Sequence, residues 1–382
     1  MSHTIFPLEQ FRSEDTPFYY YDLHLLDETL TAVKEASSYP GFHVHYAVKA
    51  NANPEILKRI ASFGFGADTV SLGEILRAVD AGFPACKIVF AGVGKTDREI
   101  TQALDLGIGC INVESVPELN VIDEIASGIK KKAPVALRVN PEIDAHTHHY
   151  ITTGLAENKF GIAMSMLDEV ISRCLEFEWI DFRGFHFHIG SQVTDLTPYK
   201  ILCERINDLQ DKYPYLDIPT INVGGGLGID YDDPDAHPIP DFREFFKIFR
   251  DHLHLRQGQQ LHFELGRSIV GQCGSLISRV VFVKEGVDKK FIILDAGMTE
   301  LIRPALYQAR HKIQNLSSVS PIEKRYDVVG PICESSDTFA VDEPLPVTKR
   351  GDIFAIRSAG AYGEAMASCY NLRPLPPSLF SR

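Results

Sequence analysis

Between residues 43 and 265 the chain repeats one unit, a short β-branched run followed by a stretch with helical apolar spacing. Strand candidates begin near Val44 (VHYAVK), Gly66 (GADTV), Ile88 (IVFAG), Cys110 (CINVE), Val135 (VALRVN), Arg183 (RGFHFHIG), Thr220 (TINVGGG) and Leu261 (LHFELG). Few folds accept such an alternation, because successive parallel strands need a long crossover and the intervening helices supply it. Helix starts fit between the strands. Asn53 with Pro54 opens one, and Ser71-x-x-Glu74, Thr96-x-x-Glu99 and Ser115-x-x-Glu118 each match a capping box. Eight units in roughly 220 residues is the size of a (β/α)8 barrel, which is the predicted α/β architecture. A doubly wound sheet is the second reading.

Past residue 266 the pattern changes to longer strand-like segments (LISRVVFVKE, KKFIILDAG, YDVVG, DIFAIR) punctuated by Pro and Gly. This reads as a separate β domain. The extended TPFYYYD near the N-terminus is expected to join that sheet rather than the barrel. The predicted division is residues 1–30 with 266–382 as the β domain, and 31–265 as the barrel.

Composition excludes several function classes. With 45% hydrophobic and 23% charged residues this is an ordinary globular composition, and a net charge of -13 disfavours nucleic acid or an anionic membrane as partner. No apolar run approaches the roughly 18 to 20 residues needed to span a bilayer, and MSHTIFPLEQF lacks the form of an export signal. The seven cysteines, at 86, 110, 174, 203, 273, 333 and 369, form no Cys-x-x-Cys pair. That argues against a disulfide framework or zinc site, and for a reducing, cytoplasmic compartment. The histidines of DAHTHHY, at 146, 148 and 149, lie on no defined element, so no metal is predicted.

Active sites of such barrels lie at the carboxyl ends of the strands. There the sequence puts Lys49, Asp68, Arg138, Asn140, His188, Ser191, the run Gly224-Gly225-Gly226, and Glu264. A lysine emerging at a barrel mouth is partly desolvated, which lowers its pKa and favours imine chemistry, although a surface lysine reads the same way. The glycine run either offers backbone N–H groups to a phosphate or makes a tight turn. His188 could stack on a planar ring or be a core histidine. Glu264 could face a protonated ring nitrogen or pair with Arg267. The β domain adds Arg303 and Tyr307 (IRPALY), Cys333 and Glu334 (GPICESSD) and Tyr362 (SAGAYGEA), each of which also has an ordinary structural reading.

Taken together and in order, YAVKAN, GADTVSLGE, RVNPEIDAHTHHYITTGLAENKFGI, FHFHIGSQ, NVGGGLGIDY, ELGR, LDAGMTELIRPALY, VVGPICESSD and SAGAYGEAM resemble the pyridoxal-phosphate decarboxylases of the alanine-racemase-like fold, most closely the diaminopimelate decarboxylase family. The resemblance implies that Lys49 holds the cofactor through its amine, that His188 stacks on the ring, and that Glu264 keeps the ring nitrogen protonated. Asp68, Ser191, Gly224, Gly225, Gly226, Gly266, Arg267 and Tyr362 then surround the cofactor. It further implies carboxylate recognition by Arg267, Arg303 and Tyr307, with Glu334 on the distal amine and Tyr362 nearby. Members are homodimers in which Cys333 and Glu334 reach the partner's site, Cys333 as proton donor. The implied reaction converts meso-2,6-diaminopimelate to L-lysine and carbon dioxide, the last step of lysine biosynthesis. The alternatives are decarboxylation of another basic amino acid such as ornithine or arginine, for which Arg303 has no use, and a catalytically silent cofactor-binding homologue. One departure is Leu265, where the family usually has proline, which alters backbone stiffness and keeps the charged pair.

Overall fold

The computed structural model describes residues 6–143 and 159–381. It divides into two compact units, one of Met1–Thr29, Ile229–Pro240 and Arg267–Arg382, the other of Leu30–Gly228 and Asp241–Gly266. The first strand, β1 (Phe18–Tyr21), belongs to the former and the next nine to the latter.

The second unit holds β2 (Phe42–Ala47), β3 (Gly66–Thr69), β4 (Ile88–Phe90), β5 (Cys110–Val113), β6 (Ala133–Asn140), the short β7 (Ile162–Ala163), β8 (Ile180–His186), β9 (Thr220–Asn222) and β10 (Gln260–Leu265). All pair in parallel, in the order β5-β4-β3-β2-β10-β9-β8-β6, and the pairing of β5 with β6 closes the ring. The closure makes this an eight-stranded parallel barrel and excludes the open doubly wound sheet. Each of the eight predicted strand runs supplies one stave, and β7 only extends β6.

Local chemistry opens the helices where predicted, with one difference. Thr96 and Glu99 form a complete reciprocal capping box ahead of the helix Asp97–Leu106. Ser71 and Ser115 accept from the N–H groups of Glu74 and Glu118, but those glutamates reach back one residue further, to the N–H of Val70 and of Glu114. The carboxylate still satisfies an orphan donor at the helix start, so the stabilising effect survives the shift.

Packing fixes which way β10 faces. Leu261, Phe263 and Leu265 are fully buried on one side, and Phe263 lies 4.8 Å from Phe246, 5.1 Å from Phe249 and 5.2 Å from Phe42 between ring centroids. Phe246 and Phe249 come from the helix Phe242–His252. Each buried ring contributes about 1.5 to 3 kcal/mol, and a one-residue slip of β10 would forfeit that burial. The alternate residues His262 and Glu264 are thereby turned to the other face.

The first unit carries β11 (Gly274–Glu285), β12 (Lys290–Leu294), β13 (Ile313–Asn315), β14 (Glu323–Val329), β15 (Thr338–Pro346), β16 (Ile353–Ile356) and β17 (Ser378–Phe380). Its sheet runs β13-β16-β11-β12-β14-β15, with β1 antiparallel to β11 and β17 parallel to β1. The N-terminal strand therefore joins this sheet, as expected from its extended pattern. Phe11 seals it, 5.2 Å from Phe18 and 5.0 Å from Tyr20, in a cluster with Ile277 and Ile353. Among the described residues no helix is long and apolar enough to cross a membrane.

Candidate active site

In the barrel unit, a polar layer stands where such barrels usually stack branched apolar side chains. Glu264 on β10 is 6% exposed, and its carboxylate accepts from Asn222 Nδ2 at 2.7 Å and Asn112 Nδ2 at 3.3 Å through Oε1, and meets His186 Nε2 at 3.0 Å through Oε2. Burial opposes the charge, but His186, Lys49 and His188 outweigh it and hold the carboxyl well below the usual carboxylate range. The alternative partner Arg267 is not needed to explain this anion.

Lys49 lies in the turn Val48–Ala50 just past β2, with its side chain 39% exposed and its Nζ 3.6 Å from Asp68 Oδ2. Asp68, at the end of β3, is almost fully buried. Burial and the charge of Glu264 push its carboxyl up, with Lys49 opposing, and its buried Oδ1 makes no hydrogen bond among the described residues. His188 follows β8 and is half-buried. Burial, then the charges of Lys49 and Arg138, keep its basicity well below that of a free imidazole, so the ring stays neutral. Gly266 makes room for the lysine turn, since a Cβ there would stand 3.1 Å from the Cβ atoms of Ala47 and Ala50.

The glycine run is demanded by close backbone approach. A Cβ on Gly225 would lie 1.8 Å from the carbonyl oxygen of Glu264, one on Gly224 (φ +69°) 2.4 Å from Phe187 O, and one on Gly226 (φ +102°) 2.5 Å from Gly190 O. The N–H of Gly224 donates to Asn222 Oδ1 at 2.9 Å and that of Gly225 to His188 Nδ1 at 3.3 Å. Two of the three N–H groups that the sequence left open are thus used to tie the run to Asn222 and His188. Tyr199 adds a bond to Gly225 O at 3.0 Å from behind. Ser191 is half-buried beyond His188.

The β unit holds the other predicted residues. Arg267 and Arg303, 6% and 5% exposed, converge on one hydroxyl, Tyr231 Oη, at 2.6 and 2.8 Å. Tyr362, with φ +57°, stacks its ring 4.8 Å from the Arg267 guanidinium, and Tyr307 is half-buried and near enough to act on Arg267 electrostatically. Among the described residues no carboxylate pairs with Arg303, and burial lowers its pKa. A buried cation without a counter-charge is costly unless an anion is supplied. Cys333 and Glu334 are exposed, and their hydrogen bonds run to Asn371 and Tyr370, at 3.3 and 2.8 Å, not to the arginines. His146, His148 and His149 lie outside the described residues.

Sequence reasoning missed His186, Asn112 and Asn222 around Glu264, and Tyr231 and His311 around Arg303. A signal existed for one of them. In FHFHIG the two histidines are two apart, so on a strand through this run His186 would share a face with His188. The barrel residues suit pyridoxal phosphate, with a half-exposed amine, a buried carboxylate held ionised and a neutral flat imidazole.

Comparison with known proteins agrees. Residues 26–271 match the family model for the pyridoxal-binding domain of pyridoxal-dependent decarboxylases. The chain is 59% identical to the diaminopimelate decarboxylase of Bacteroides thetaiotaomicron over 97% of both chains. It superposes on the crystal structure of diaminopimelate decarboxylase from Helicobacter pylori complexed with L-lysine with a TM-score of 0.93, at 40% identity, covering 98% of this chain and 94% of that one. The Vibrio vulnificus lysine/ornithine decarboxylase, at 20% identity and a TM-score of 0.85 over 98% of this chain and 97% of that one, shares the fold. A polar barrel layer built around an ionised glutamate, a mouth lysine and these matches together place the chain in the pyridoxal-dependent decarboxylases, within the diaminopimelate decarboxylase family.

Proposed function

We propose that this chain decarboxylates meso-2,6-diaminopimelate to L-lysine, using pyridoxal phosphate. The observation that carries the substrate is the convergence of Arg267 and Arg303 on Tyr231, with no carboxylate on Arg303 among the described residues. Two buried guanidiniums suit an anionic group, and diaminopimelate keeps a distal carboxylate that ornithine and lysine lack.

Bound pyridoxal phosphate supplies an electron sink for the carbanion left by departing carbon dioxide. The chain's own groups do the rest. Lys49 would offer its amine for covalent attachment, and Glu264, held ionised, would keep a proton on the ring nitrogen. His188, neutral and flat, would support the ring. Asp68, Ser191, Gly224 to Gly226, Gly266, Arg267 and Tyr362 form the proposed cofactor surround. Arg267, Arg303 and Tyr307 grip the carboxylate that is retained, so that only the other one is free to leave.

Cys333 and Glu334 are exposed and distant in bonding from the arginines, which fits action in the site of a second copy, with Cys333 Sγ donating a proton and Glu334 receiving the distal amine. The reading is therefore of a homodimer, and the free cysteines suit a reducing cytoplasm. The test is lysine release from meso-diaminopimelate by purified protein with pyridoxal phosphate, beside ornithine and arginine. Lysine from diaminopimelate alone is expected, and turnover of ornithine or arginine instead would overturn the assignment.

A further inference from the structure

Resting on the reading of Arg303 as a carboxylate receptor, we propose that Tyr231 and His311 are positioning residues that set specificity for the retained carboxylate. Tyr231 joins Arg267 and Arg303 into one receptor, and His311 fixes which edge of Arg303 faces the ligand.

An arginine side chain is long, and a two-bond carboxylate grip needs one edge of its planar fork held in place. In Arg303 the Nη1 nitrogen has two hydrogens and two acceptors within reach, Tyr231 Oη at 2.8 Å and His311 Nε2 at 2.9 Å. Both hydrogens are thereby taken up on one side of the guanidinium. The opposite edge, Nε with Nη2, is the fork that matches a carboxylate, and the buried Nε–H makes no hydrogen bond among the described residues. The ring of Tyr231 lies 4.8 Å from the Arg303 guanidinium carbon and removes rotation out of plane.

His311 can accept only in one tautomer. Its Nδ1 faces the backbone carbonyl of Arg357 at 2.8 Å, and a carbonyl can only accept, so Nδ1 carries the hydrogen and Nε2 is the lone-pair side. The carbonyl is itself anchored, because the Arg357 guanidinium bonds Asp235 at 2.9 Å and Gln314 at 2.8 Å. Burial, then the charge of Arg303, pushes the basicity of His311 down to about 3, so it remains neutral beside the arginine. Tyr231 Oη uses both lone pairs on Arg267 and Arg303, which leaves its own hydrogen as a third donor converging with the two cations. The partners of His311, Arg303 and the Arg357 carbonyl, stand outside the proposed cofactor surround, whereas Tyr231 also holds Arg267, which belongs to it.

The test is calorimetric binding of L-lysine, which keeps the carboxylate, and of L-lysinamide, which replaces it with a neutral amide, to the cofactor-loaded enzyme. Wild type should prefer L-lysine. His311→Phe and Tyr231→Phe should each cut that preference about ten-fold or more and raise KM for diaminopimelate, and His311→Phe should leave kcat within a few-fold and cofactor affinity unchanged. His311→Gln, whose Oε1 can reach the position of Nε2, should recover most of the loss. A preference untouched in both Phe variants while Arg303→Ala abolishes it overturns the inference and leaves the carboxylate reading standing. A preference untouched by Arg303→Ala overturns that reading, and this inference with it. Equal losses for L-lysine and L-lysinamide would mark His311 and Tyr231 as scaffold only and would also overturn the inference.

Discussion

Replacing Glu264 with glutamine isolates what the buried charge does. Glutamine has nearly the same shape, so its oxygen can keep the bonds from Asn112 and Asn222, at 3.3 and 2.7 Å, while its amide meets His186 Nε2, now 3.0 Å from Oε2. His186 must then accept there and move its hydrogen to Nδ1, which makes no hydrogen bond among the described residues. The exchange loses charge-assisted bonds and removes the cost of burying a carboxylate. A bond to a charged group is worth about 1.5 to 3 kcal/mol against about 0.5 to 1.5 for a neutral one, and desolvation offsets a similar amount, so folding stability should move by only about 1 kcal/mol. The effect on chemistry is not offset. A carboxylate within about 4 to 6 Å of a cation shifts the pKa by about 1 to 3 units, each worth 1.36 kcal/mol, so if Glu264 faces the ring nitrogen as proposed, turnover should fall by about ten- to a thousand-fold. Steady-state kcat at saturating pyridoxal phosphate, read beside the thermal midpoint of the cofactor-free protein, separates the two effects. A kcat within three-fold of wild type would refute the role of the charge. The sign with pH is also fixed. The folded pKa of Glu264 lies below its unfolded value, so its contribution to stability is complete above the ordinary carboxyl range and is lost only as pH falls through the folded value. Wild-type stability and activity should therefore show no step from Glu264 between about pH 5 and 9.

Three further outcomes are expected. Lys49→Ala should abolish turnover, and gel filtration should strip the cofactor's visible absorbance, whereas normal turnover would remove Lys49 from its role. Gly225→Ala should destabilise the barrel by at least about 1 to 3 kcal/mol in urea unfolding and weaken cofactor binding, because its Cβ would stand 1.8 Å from the carbonyl oxygen of Glu264; an unchanged midpoint would show that the two backbones separate freely. Lys49→Ala and Cys333→Ala proteins, each inactive, should regain about a quarter of wild-type activity when mixed one to one, since half the dimers are mixed and each carries one intact site. No recovery despite verified subunit exchange would place Cys333 in its own chain's site.

The pattern of the sequence was enough for the architecture because it is written in local terms. Periods of two and 3.6, helix-opening residues and strand-end polar residues are all properties of a few neighbouring positions, and they sufficed for eight staves and for the joining of Phe18–Tyr21 to the second sheet. The direction of Glu264 was legible too, since Leu261, Phe263 and Leu265 alternate with it on β10.

What surrounds Glu264 was not legible. Asn112 is 152 residues away in sequence and His186 is 78, and they meet only because eight twisted strands close on themselves and bring one inward position from several strands to the same level. The same holds for Tyr231 and Arg303, 72 residues apart, where Ile229–Pro240 folds with the β unit although both its neighbours in sequence fold with the barrel. The glycine run shows the division most clearly. Three consecutive glycines announce a backbone with unusual freedom, but whether that freedom serves a ligand or a crossing strand depends on the atom that a Cβ would strike. For Gly225 that atom is the carbonyl oxygen of Glu264, placed there by the pairing of β9 with β10. Local propensities choose the elements, and chain closure chooses which side chains meet, because a contact between distant positions carries no trace in the residues nearby.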